Sequence, residues 1–215
     1  EQALAFYLKE APDRLPAPEP WPAADLSPLK FARGSLTMSD MPGAPAVSHV
    51  RLLDFDGDKQ LDVLGTDMRQ GVVFRCRAVG GGTLSVVASI PHPSHVTMTA
   101  LDRDGLQDLL VTDLGEFLPA DHEKGAVIWL RGVPGGKFGA FWLDGWPRVA
   151  AVAAADFNGD GRTDLAAAAF GWRKSGSVTI VENATTAPAR PAFTNHKIDA
   201  RTGAIEVIPA DLNRD

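Results

Sequence analysis

Apolar and polar residues along this chain do not follow a helical period. From about residue 45 they run in short stretches rich in β-branched and aromatic residues, punctuated by Gly, Pro, Asn and Asp, which is the pattern of antiparallel strands. Four apolar stretches set the rhythm: Val47–Leu53, Val96–Ala100, Val149–Ala155 and Ile205–Ala210. Each leads into an acidic loop. After the first three loops come another apolar stretch, a turn and two alternating segments. Those segments are Gly71–Cys76 and Leu84–Ile90, then Ala126–Leu130 and Phe138–Leu143, then Ser177–Val181 and Phe193–Ile198. A helical pattern is confined to Gln2–Lys9, and the Pro-rich stretch Pro12–Pro28 that follows reads as a linker or wrapping arm.

The loops repeat in register. The first runs Asp54, Asp56, Asp58, Gln60, Asp62 at alternate positions; the third runs Asp156, Asn158, Asp160, Arg162, Asp164. A second copy has Ala100 in first place, then Asp102, Asp104, Leu106 and Asp108, and a fourth opens with Asp211, Asn213 and Asp215. Their first positions, 54, 100, 156 and 211, lie 46, 56 and 55 residues apart, about the length of a four-stranded propeller blade. The expected fold is therefore all-β: a partial β-propeller over 28–215, preceded by a helix and linker over 1–27. Blade one spans about 45–91, blade two about 92–145, blade three about 146–200, and a fourth begins at 201–215. The first strand of each unit, the most continuously apolar and richest in Ala, is expected to be the tightly packed inner one. A solenoid is the alternative, but its repeats are usually shorter.

Oxygen donors at the first, third, fifth and ninth loop positions, with a backbone carbonyl at the seventh, suit Ca²⁺, a hard cation that takes six or more oxygens at irregular angles. Glycine at the sixth position permits the sharp turn. Loop three meets every requirement. Loop one carries Lys59 in place of that glycine, so a lysine must adopt the turn. Loop two lacks the first carboxylate, which makes it a weaker site, as is loop four. An EF-hand would need a bidentate Glu at the twelfth position, where Gly65 and Ala167 stand, and flanking helices. Metal-free Asp/Gly turns are the plain alternative for one such loop, but less so for several in register.

The strings "RLLDFDGDKQLDVLGTD" and "AADFNGDGRTDLAAAAFG" resemble FG-GAP/VCBS repeats, as found in integrin α-chain propellers. This resemblance covers about Pro45 to Asp215 and implies a propeller, commonly seven-bladed, with calcium in the hairpin between the first two strands of a blade. "PHPSHV", "DLGEFLPADHEKGAVIWLRG", "AAFGWRKSG" and "RTGAIEVIPADLN" are similar to a group of secreted bacterial VCBS-repeat proteins, some with a c-type cytochrome module ahead of the propeller. The head, "ALAFYLKEAPDRLPAPEPWP", looks like the connector after such a module. The resemblance thus implies a secreted or periplasmic calcium-binding scaffold for a protein or glycan ligand. The alternative it raises is an accessory domain beside a haem-containing electron-transfer or oxidoreductase module or subunit.

Composition narrows this picture. A formal net charge of −6 speaks against a nucleic-acid partner, and no apolar run reaches the length of a membrane span. Cys76 is the only cysteine, so no internal disulfide or Cys-based metal motif exists. No G-x-S-x-G, Walker loop, H-E-x-x-H or CxxCH occurs, and the loops account for the paired carboxylates. A propeller-type lyase or hydrolase would need a basic or carboxylate cluster in the central funnel, which these repeats do not show.

Asp113–Lys124 and Gly171–Gly176 are loops in equivalent places of blades two and three. Asp121 and His122 are candidates there for a ligand or second metal, against the plainer reading of a surface loop capped by polar side chains. His49, His92 and His95 lie at strand starts, read chiefly as hydrogen-bonded structural residues. Trp129, Trp142, Trp146 and Trp172 are expected to pack blade against blade. Because the fourth loop is cut at Asp215, further blades are expected to follow in a longer polypeptide, or two such chains to share one ring.

Overall fold

The structure, a computed structural model, describes residues 43–77, 84–186 and 191–212, with the side chain of Asp144 excepted. The chain divides into two units, Glu1–Gly34 and Ser35–Asp215. The expected helix and Pro-rich linker lie outside the described residues.

The second unit is all-β. Among the described residues, twelve strands form three antiparallel four-stranded sheets, each built from consecutive strands. Blade one comprises β1 (Val47–Leu53), β2 (Asp62–Asp67), β3 (Val72–Arg77) and β4 (Ser85–Ser89). Blade two comprises β5 (Pro93–Thr99), β6 (Asp108–Asp113), β7 (Gly125–Val133) and β8 (Lys137–Trp146). Blade three comprises β9 (Val149–Ala155), β10 (Asp164–Ala169), β11 (Ser177–Asn183) and β12 (Phe193–Asp199). The three sheets do not close into a ring among the described residues. The first strands adjoin one another, β1 beside β5 and β5 beside β9, as the inner strands of propeller blades do.

Blade two shows why the strands alternate as they do. Successive side chains on a strand point to opposite faces, and here both faces are covered. Leu109, Val111, Ala126, Ile128 and Leu130 join Leu64, Val73 and Ile90 of blade one in a single buried cluster. Their sequence neighbours Leu110, Val127 and Trp129 join Val149, Val152, Leu165, Ala167 and Val181 of blade three. The core is thus two inter-blade seams. Trp129, stacked on Phe141 at 5.1 Å, anchors the second seam together with Trp146. Trp142 and Trp172 do not share that role: both are exposed.

Two expectations about strands need correction. The second strand of each blade, not the first, is the most buried: β6 and β10 are buried throughout, whereas β1 is largely exposed. A second strand has hydrogen-bonded neighbours on both sides and blades on its faces, while an inner strand has an open edge. Ile205–Ala210 is not a strand. It lies beside the inner strands, tethered by the bond from Gly203 N to Phe170 O (2.9 Å), without a ladder partner among the described residues. With Arg51, His95, Thr97 and Ala153, Glu206–Pro209 lines a cavity of about 230 Å³.

Each first strand carries a bulge at the same point, at Ser48, Ser94 and Ala150. In two blades the bulge residue stitches the seam. Ser48 Oγ donates to Pro93 O (2.7 Å) and lies 2.8 Å from Thr66 Oγ1. Ser94 Oγ donates to Val149 O (2.8 Å) and lies 2.7 Å from Thr112 Oγ1. Blade three has Ala150 and Ala168 at these places.

Candidate metal loops

Each acidic loop joins the first two strands of its blade, and each is wound by its own side chains. The fifth residue's amide turns back to the third residue's oxygen: Asp58 N to Asp56 Oδ1 (3.4 Å), Asp104 N to Asp102 Oδ1 (3.4 Å) and Asp160 N to Asn158 Oδ1 (3.0 Å). The seventh residue's amide donates to the fifth: Gln60 N to Asp58 Oδ1 (2.9 Å), Leu106 N to Asp104 Oδ1 (2.9 Å) and Arg162 N to Asp160 Oδ1 (2.7 Å). This bond, with the Arg162 guanidinium 2.5 Å away, holds the Asp160 carboxyl below the usual range.

The first-position aspartate ties the whole turn. Asp54 accepts Gly57 N and Lys59 N through its two oxygens, each at 2.8 Å. Asp156 accepts Gly159 N and Gly161 N at the same 2.8 Å. Ala100 has no such oxygen, so loop two closes without this tie.

The backbone conformation that these bonds select is left-handed at two positions. Lys59, Gly105 and Gly161 occupy the sixth position with φ of 67°, 88° and 82°. Lys59 therefore adopts the glycine conformation expected of it, at a cost of about 1 kcal/mol. The fourth position is left-handed as well, at Gly57 (79°), Arg103 (56°) and Gly159 (74°). That requirement was not read from the sequence, although glycine at this place in loops one and three was its signal.

The ninth-position aspartates face inward. Asp62, Asp108 and Asp164 are buried, and each accepts the amide of the loop's second residue: Phe55 N (3.2 Å), Leu101 N (2.8 Å) and Phe157 N (3.1 Å). The other oxygen of Asp108 and of Asp164 accepts an amide from the third strand, Gly132 N and Asn183 N, both at 2.8 Å. The corresponding place in blade one falls at residue 78, outside the described residues. Burial pushes the Asp108 carboxyl up against the opposing pull of these bonds.

In loop one, carboxylate oxygens of Asp54, Asp56 and Asp58 all lie within 4.8 Å of one another, with Asp62 outside this group. Three like charges so close favour a cation between them, and a carboxylate oxygen that accepts one amide retains a second lone pair for it. Loop three matches this winding with Asn158 as a neutral oxygen donor. The donor set therefore fits a hard divalent ion in loops one and three. Of the fourth loop, Asp211 is exposed, and Asn213 and Asp215 lie outside the described residues.

Arginines from the third strand are a feature that sequence reading passed over. The Arg75 guanidinium pairs with Asp56 and lies 3.1 Å from Asp62, stacked over Phe55 at 4.7 Å. Its hydrogen bond holds the Asp56 carboxyl below the usual range. Arg77 reaches Asp58 at 2.6 Å. Arg131 pairs with Asp102 through Nε and with Asp104 through Nη2, the latter at 3.1 Å. Their common signal is a basic residue near the far end of a strand that pairs with the loop's second flank.

The candidate ligand loop around Asp121 is a clamp between blades. One oxygen, Asp121 Oδ1, accepts Arg173 N (3.0 Å), Lys174 N (3.0 Å), Ser175 N (3.1 Å) and Ser175 Oγ (2.8 Å). The bond from Lys174 leads in holding its carboxyl below the usual range. His122 Nδ1 accepts Lys124 N at 3.1 Å, and Arg148 Nη1 donates to the carbonyls of Glu116 and Leu118. Polar capping is thus what this loop does in the structure. The His49 and His95 rings meet tilted, 4.1 Å between centroids, between the inner strands of blades one and two, and His49 Nδ1 accepts Val96 N at 3.3 Å.

No helix among the described residues is long and apolar enough to cross a membrane. No curated protein matches the chain. Residues 101–167, which span loops two and three with most of blade two, match the FG-GAP-like repeat, a β-propeller blade unit.

Proposed function

We propose that this chain is a calcium-stabilised propeller scaffold of a secreted or periplasmic protein, presenting one blade face to a protein or glycan partner. The observation that carries this reading is the convergence of Asp54, Asp56 and Asp58 within 4.8 Å, in a loop whose winding recurs around Asp156, Asn158 and Asp160. In each loop the ion would be held by the first, third and fifth side chains and the seventh carbonyl. The ninth aspartate anchors the loop to its blade. Calcium at extracellular concentrations fills sites of modest affinity, which is why the reading goes with an extracytoplasmic location.

The two clamped loops are the natural contact face. Phe117, Leu118 and Trp172 stand exposed on them, and exposed apolar groups on a rigid scaffold serve recognition. Calorimetric titration of the chelated protein with calcium tests the proposal. Heat of binding and a rise in melting temperature are expected, and Asp160→Ala should remove one ion from the count. Absence of both heat and thermal shift would refute it.

A further inference from the structure

The three blades differ at one register position that bears on their metal loops. Extending each second-to-third strand ladder to the ninth loop residue places Arg77 opposite Asp62, Arg131 opposite Asp108 and Glu182 opposite Asp164. Only the first two are basic, and they meet different loops. Arg77 reaches Asp58 of a loop with all its carboxylates. Arg131 reaches a loop whose first carboxylate is replaced by Ala100, and its Nε and Nη2 engage Asp102 and Asp104, the side-chain donors left at the third and fifth positions. Glu182 turns away to His196, with 2.8 Å between Oε2 and Nε2. Among the described residues, the guanidinium that meets loop three is that of its own Arg162, which reaches Asp160.

We propose that Arg131 is the built-in cation of loop two, and that the residue opposite the ninth loop position sets how far each loop depends on calcium. This inference rests on the calcium reading of loops one and three. A guanidinium is permanently charged and its fork matches two carboxylates at once. It therefore neutralises Asp102 and Asp104 without an ion. An arriving Ca²⁺ would have to displace it and would find no first-position carboxylate. Loop two is closed at any calcium concentration. Loop one keeps its ligands but has Arg75 on Asp56 as well as Arg77 on Asp58 beside the ion, and loop three has no basic residue at the register position. The calcium affinities should rank loop three above loop one, with loop two silent.

Calcium titration of purified full chain, by calorimetry after chelation, tests this with four variants and Asp160→Ala as the comparison. Asp102→Asn should leave the number of bound ions unchanged. Ala100→Asp combined with Arg131→Gln should add one ion. Arg77→Gln should tighten loop one by about threefold to tenfold, from the removal of one like charge near the ion. Arg131→Gln alone should lower the melting temperature in chelator, where Asp160→Ala has no comparable effect. Loss of an ion on Asp102→Asn would overturn the proposal. So would an unchanged count in the double variant when its melting is cooperative. If no variant binds calcium, the scaffold reading fails on its own, and the chelator melt of Arg131→Gln still decides the arginine: a lowered transition supports it and an unchanged one overturns it.

Discussion

Blades two and three share a fold and differ in what holds them. Blade two is stitched: Ser94 and Thr112 bind the backbone of the next blade, Asp121 grips the 173–175 turn, and Arg131 closes the acidic loop. Blade three has Ala150 and Ala168 where the serine and threonine stand, an all-alanine run at Ala166–Ala169, and a loop with its complete donor set. One blade relies on directional bonds built into the chain, and the other on close packing and, in the proposed reading, an ion from solution. A single repeat can therefore be stabilised in two ways, and the choice is made by a few residues at fixed register positions.

The largest effect expected within this comparison is at the seam both blades share. Trp129 is buried in blade two against Leu165 and Val181 of blade three. Trp129→Ala should cost about 3–5 kcal/mol in denaturant unfolding, from lost transfer free energy and the cavity left behind. Because Trp129 contributes to this seam by packing, the loss should be the same with calcium and with chelator.

Acid should separate the two seams next. Between blades one and two, burial, the neighbouring His49 and Arg51 push His95 down to about 3; between blades two and three, Ala151 stands in its register place. A depressed folded value means that the unfolded chain takes up the proton first. The contribution is therefore complete above about pH 6.5 and is lost as pH falls towards 3. At pH 5 His95 should cost ~2 kcal/mol relative to pH 7.5. Equilibrium unfolding of His95→Gln at the two values should lack that part of the acid loss, and an identical pH dependence in both proteins would sink the idea.

The smallest effect tests the stitch itself. Ser94→Ala removes two hydrogen bonds at a part-buried seam and should cost about 1 kcal/mol, seen as a shifted midpoint with unchanged denaturant slope. Ala150→Ser, made alone, lacks its threonine partner at Ala168 and should bring no matching gain.

Much of this was legible in the sequence, because the features involved are local and repeat. Strand order and loop register follow from period-two alternation and from aspartates at alternate positions. β1 and β9 fall at the predicted residues. The turn at Lys59 was foreseen because position in a repeat constrains backbone shape. What escaped depends on contacts across blades or across strands. Arg75, Arg77 and Arg131 lie 19 to 29 residues from the third- and fifth-position aspartates they meet, and their position near the far end of the third strand becomes a signal only once the strand register is known. Asp121 reads as a ligand candidate, beside the plainer surface-loop reading, because its donors, the 173–175 amides, belong to the next blade. Burial of the second strand over the first was missed for a similar reason: alanine-rich composition reports tight space, whereas exposure depends on which edge and face remain open. Ile205–Ala210 has a strand's sequence, but a strand also requires a hydrogen-bonded neighbour.

In the proposed reading, calcium closes two of the three described loops and the chain itself closes the third. Peptide-resolved hydrogen exchange, run with calcium and again with chelator, addresses each loop separately. On chelation the amides of 54–62 and 156–164 should lose protection, those of 156–164 by more, while 100–108 should exchange at the same rate in both buffers. Equal loss in all three loops, or no change in any, would contradict it.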